Sequence, residues 1–82
     1  MLDIIKRSLR ITGDTLDAEI QEQIAAAKAE LARVGIVYKD TPLHTQAVKL
    51  YIKWQYNFEG EAARYHQAFE LLEQALILSG DD

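Results

Sequence analysis

"LYIKWQYNFEGEAARYHQAF", residues 50–69, carries six of the seven aromatic residues of the chain, and its reading decides the fold. Apolar residues recur at helical spacing on both sides of Gly60, so the stretch reads as two helices meeting at a corner. Trp54, Phe58, Tyr65 and Phe69 fall on the apolar faces of those helices, which predicts that they are core residues and that Trp54 anchors the core. Tyr51 and Tyr56 lie on the flanks, where each hydroxyl meets water or a partner.

Upstream of the corner, "TPL" starts the helix, with Thr41 as cap and Pro42 at the first helical position. It is expected to run to about Phe58. One apolar stripe is Leu43, Ala47, Leu50/Tyr51, Trp54 and Phe58, and a second is Val48, Ile52 and Tyr56. The polar stripe of Gln46, Lys49, Lys53 and Asn57 is narrow. A helix apolar over more than half its circumference is the central helix of its domain or touches another subunit. Downstream, Ala62, Tyr65, Phe69, Leu72 and Leu76 form one face of a last helix. Its other face is Glu61, Arg64, Gln67, Glu70 and Gln74, and "SGDD" at 79–82 reads as a frayed end.

The first half of the chain holds two more helices. "LDIIKRSLRI" sets Leu2, Ile5 and Leu9 on one face with Ile4 beside them. The next helix follows "TGD", with Asp14 or Thr15 as its expected cap and acidic residues in its first turns, where the helix dipole favours them. Its apolar face is Leu16, Ile20, Ile24, Ala27, Leu31 and Val34. Gly35 ends it in the position of a C-terminal glycine, and "GIVYKD" connects onward. Four helices with short connections make an all-α class, a small helical bundle forming one domain over residues 1–82.

The 82 residues include no cysteine, so disulfides and thiolate metal sites are excluded. Apolar runs are too short to cross a bilayer, and "MLDIIKR" lacks the regions of a signal peptide. Nine basic and thirteen acidic residues give a net charge of −4, a balance that opposes a dedicated nucleic-acid binder. The charge is unevenly spread: residues 55–82 carry one basic residue, Arg64, against six acidic ones. Lys6, Arg7 and Arg10 form a basic start. These three, together with Glu70 and Glu73 of the last helix and the flanking Tyr51 and Tyr56, are the candidate subunit contacts.

Chemistry is sparse. The two serines, Ser8 and Ser79, have no nucleophile motif around them, and the four glycines are scattered singly. His66 and Glu70 at i, i+4, with Glu73 nearby, is a spacing that acid-rich helices produce without binding metal. His44, in the first turn of its helix, is expected to face solvent. No catalytic residue, metal or cofactor is assigned. A DNA-reading helix–turn–helix needs basic and amide side chains on its recognition helix, and Lys49 and Lys53 offer little of that.

The segments "SLRITGD", "DAEIQEQIAAAKAEL" and "AVKLYIKWQYNFEGEAARYHQAFELLEQALILSG" together resemble the small head–tail connector proteins of long-tailed bacteriophages. The resemblance covers nearly the whole chain and is sharpest in "AVKLYIKWQYNF" and "EAARYHQAFELLEQAL". It departs at 54–61, where "WQYNFEGE" has Trp54 and puts its glycine late, at Gly60. It implies a non-enzymatic adaptor of the virion, made in the bacterial cytoplasm. Copies would form a homo-oligomeric ring at the head–tail junction, between the portal protein and a tail-proximal connector protein, with DNA as passing cargo. The alternative reading is a small helical regulator able to bind DNA.

Overall fold

The computed structural model describes residues 1–79, with side chains to Leu78. The expectation for residues 80–82 lies outside the described residues. The chain forms four α-helices: α1 (Leu2–Leu9), α2 (Asp17–Arg33), α3 (Pro42–Gln55) and α4 (Ala62–Ser79), with a 3-10 turn at Phe58–Gly60. No strand occurs among the described residues. The fold is a small all-α bundle.

Local chemistry explains most boundaries. Thr41 caps α3, its hydroxyl accepting the His44 N–H at 3.1 Å, with Pro42 at the first helical position. At the end of α2, Gly35 takes φ +91°, and the N–H of Ile36 reaches back to the Leu31 carbonyl at 2.9 Å. Leu31 and Ile36 then pack in one cluster, so the turn is closed by hydrogen bonding and by apolar contact together.

The α2 start differs from expectation. Leu16 stands at the cap position without a side-chain bond, because Asp14 to Asp17 close a turn of their own, the Asp17 N–H donating to the Asp14 carbonyl at 3.2 Å. Helix α3 also stops earlier than Phe58. Asn57 enters the left-handed region at φ 49°, and its side-chain oxygen accepts the Ala62 N–H at 3.0 Å, capping α4. Asparagine tolerates that conformation better than most residues, so the corner turns at Asn57 and Glu59 as well as at Gly60.

Helix α3 is central, and its two stripes serve two clusters. Val48 and Ile52 join Ile5, Leu9, Ile20, Ile24 and Ala27 of α1 and α2. Ala47, with the half-buried Leu50, Tyr51 and Trp54, joins Leu31, Ile36, Phe69 and Leu76. Trp54 meets His66 and Tyr51 meets Phe69, so α3 and α4 run antiparallel. Helix α4 leans on α3 and touches the other helices only slightly.

Two burial expectations are corrected. Of the four corner aromatics only Phe69 is fully buried, at 2 % exposure; Trp54, Phe58 and Tyr65 are half-buried. Besides α3 and α4 only the end of α1 reaches the corner, and the outer side is covered by a side chain: the Lys53 ammonium lies 5.2 Å from the Phe58 ring and 5.4 Å from the Tyr65 ring. Conversely, His44 is buried, at 2 % exposure. The connector folds back over the first turn of α3, and His44 Nδ1 accepts the Lys39 N–H at 2.9 Å. That N–H belongs to no helix, so the ring nitrogen supplies its acceptor.

Candidate interaction surfaces

Helix α1 presents the basic surface. Lys6 is tied internally: its ammonium lies 2.8 Å from the Asp17 carboxylate and also donates to the Gly13 carbonyl. The Arg10 guanidinium lies 3.3 Å from the Glu59 carboxylate and 5.9 Å from the Phe58 ring centroid. Arg7 is exposed and forms no ion pair with any described residue. These three cations line an open groove with Asp3, Ile11 and Thr12. Beside it lies an apolar socket of about 120 Å³, walled by Leu9, Ile11, Leu16, Tyr56 and Phe58. Ile11 lines both, so groove and socket adjoin.

Tyr56 closes the socket from α3. Its hydroxyl is buried and faces the Glu19 carboxylate without reaching full hydrogen-bond geometry. Burial first, and the nearby Glu19 and Glu22 carboxylates after it, hold the phenol above its ordinary range. Tyr51 is half-buried, packed edge-on against Trp54 and Phe69, each at 5.6 Å between ring centroids.

Helix α4 presents the acidic surface. Glu70 is exposed, 3.4 Å from His66, whose ring stacks on Trp54 at 4.0 Å. Glu73 is half-buried beside the end of α2, where Arg33 grips Glu30 through two hydrogen bonds of 3.1 and 2.6 Å. Burial raises the Glu73 pKa, Glu30 and Glu70 add to this, and Arg33 opposes it. Glu30 goes the other way, lowered by its bond to Arg33. Among the described residues no three His, Asp or Glu side chains are placed to hold a metal ion.

The candidate residues therefore separate into two sites. Lys6, Arg7 and Arg10 sit by the start of α2, next to Tyr56. Glu73 sits by its end, with Glu70 one turn away on α4. The thirteen residue steps from Asp17 to Glu30 span about 20 Å of helix, which keeps the two sites apart. Glu59 is the exception among the acids, since it belongs with Arg10.

Sequence reading missed the outer face of α4. Leu71 is 61 % exposed and Leu78 86 %, with Ala75 and Gln74 exposed between them. Leu71 and Leu78 are seven residues apart and so share one face. Ile77, also exposed, stands with Glu70 on its flank. The signal was present in "FELLEQALIL", which has more apolar residues than one buried stripe uses. No helix among the described residues is long and apolar enough to cross a membrane.

Compared with protein-family models, curated proteins and solved structures, the chain matches none.

Proposed function

We propose that this protein is a structural adaptor of a phage or prophage virion, a subunit that self-associates into a ring between portal and tail. The observation that carries the reading is the outer face of α4. Among the described residues this 18-residue helix packs chiefly on α3, with Leu31 and Ile36 also against its inner face, and turns Leu71 and Leu78 away from them. Exposed apolar side chains set in a row on an otherwise polar surface mark a place where another protein sits. The resemblance to the head–tail connectors supplies the kind of assembly. A net charge of −4 suits a channel wall past which DNA moves without sticking. The regulator reading draws less support, since two of the three α1 cations are already paired with carboxylates of their own chain.

The test is native mass spectrometry of the protein alone and mixed with a candidate portal protein, beside a duplex-DNA gel shift over a salt series. Self-association, strengthened by the portal protein, is the expected result. A monomer that ignores the portal protein and binds duplex tightly, with affinity falling steeply with salt, overturns the adaptor in favour of the regulator.

A further inference from the structure

Resting on the self-association just proposed, we infer that the contact is head-to-tail and that its two halves are the surfaces described above. Leu71 on α4 of one copy fills the apolar socket of the next, with Glu70 facing Arg7 and Arg10 in the adjoining groove.

Shape and chemistry agree on this occupant. The socket is about 120 Å³ and apolar, close to the size of cavity that accepts a single small hydrocarbon group. It wants one protruding apolar side chain, and the cationic groove beside it wants a carboxylate next to that side chain. Helix α4 offers an exposed leucine, Leu71, directly after an exposed glutamate, Glu70.

Charge also disfavours the symmetric alternative. Two α4 faces meeting each other would bring the exposed Glu70 of both copies to one interface, and α4 has no basic residue beyond Arg64 to offset them. Like charges facing across an interface cost affinity, whereas the α1 groove presents the opposite sign. The donor and acceptor surfaces are separate on one chain, so every copy can use both at once. Such a contact propagates, giving a ring where the rotation closes.

The experiment uses three full-length proteins followed by native mass spectrometry and sedimentation. One is wild type. The second carries Leu71→Lys with Leu78→Lys, which ruins the α4 face and keeps the socket. The third carries Arg7→Glu with Leu16→Glu, which ruins the socket side and keeps α4. All four positions are exposed, and circular dichroism checks that each variant is folded. Wild type is expected to assemble, and each variant alone to associate about tenfold more weakly or worse. Mixed, the two variants are expected to form a 1:1 dimer and nothing larger, because only one good pair of surfaces remains. Adding Glu70→Lys to an Arg7→Glu chain is expected to restore part of its assembly. If wild type assembles but the socket variant assembles equally well, the head-to-tail contact is overturned while self-association stands. A wild type that stays monomeric at every concentration overturns both.

Discussion

Replacing Phe69 by alanine is expected to destabilise the fold about twice as much as the same change at Trp54. Phe69 is 2 % exposed and packs edge-on with Tyr51 at 5.6 Å. Truncating a buried phenylalanine costs about 3–5 kcal/mol. For 82 residues at about 0.05–0.15 kcal/mol each, total stability is about 4–12 kcal/mol. Phe69→Ala therefore removes about a quarter or more of what holds the fold. Trp54 is the larger side chain but only half-buried, with one face on His66, so its loss is expected to cost roughly half as much, about 1.5–2.5 kcal/mol. Urea denaturation followed by far-ultraviolet circular dichroism measures both without needing tryptophan emission. Hydrogen exchange adds a spatial readout: amides of α4 should lose protection first in Phe69→Ala, since α4 is held mainly through α3. A Trp54→Ala variant less stable than Phe69→Ala would refute the reasoning, and would make the tryptophan the anchor after all.

Three other outcomes follow from particular groups. His44→Leu stays close in volume but leaves the Lys39 N–H without its acceptor, and is expected to cost about 1–3 kcal/mol in a urea melt; a change within about 0.5 kcal/mol, normal for an exposed site, would place His44 in solvent. Tyr56→Phe deletes a buried hydroxyl that has no good hydrogen bond, so the thermal midpoint should hold or rise, and a clear drop would mean that the hydroxyl has a partner. Glu73, whose pKa is raised in the folded protein, keeps its proton to higher pH there than in the unfolded chain. Between its ordinary value and its raised one the native state binds more protons, so this group makes stability rise as pH falls through that window and is least favourable above it. Glu73→Gln should flatten that part of the pH–stability curve. Glu30, lowered by Arg33, acts below its ordinary value, where its contribution is lost as pH falls through the folded pKa, and it should be untouched by the Glu73 change.

Much of this molecule was legible in residue order alone. Thr41 and Pro42 announce the start of α3, and Gly35 the end of α2, because caps act over one turn and need only near neighbours. The two stripes of α3 were readable as two buried faces, and each has its own cluster. Periodicity says which side of a helix avoids water. It does not say what lies opposite, or whether anything does. That is why Phe58 and Tyr65, at core spacing, are only half covered: only the end of α1 reaches the corner, on the Phe58 side. It is also why Leu71 and Leu78 could not be told from core leucines until α4 was seen to be covered on one side only. His44 reversed for the same reason, since only the folded connector brings an unpaired N–H to its ring. The charges divide likewise. Their uneven spread is a property of the chain, but Lys6 with Asp17 and Arg10 with Glu59 are pairs that distant segments make only by folding together. What an individual turn can satisfy by itself was written in the sequence, and what requires two remote surfaces to meet was decided by the tertiary structure.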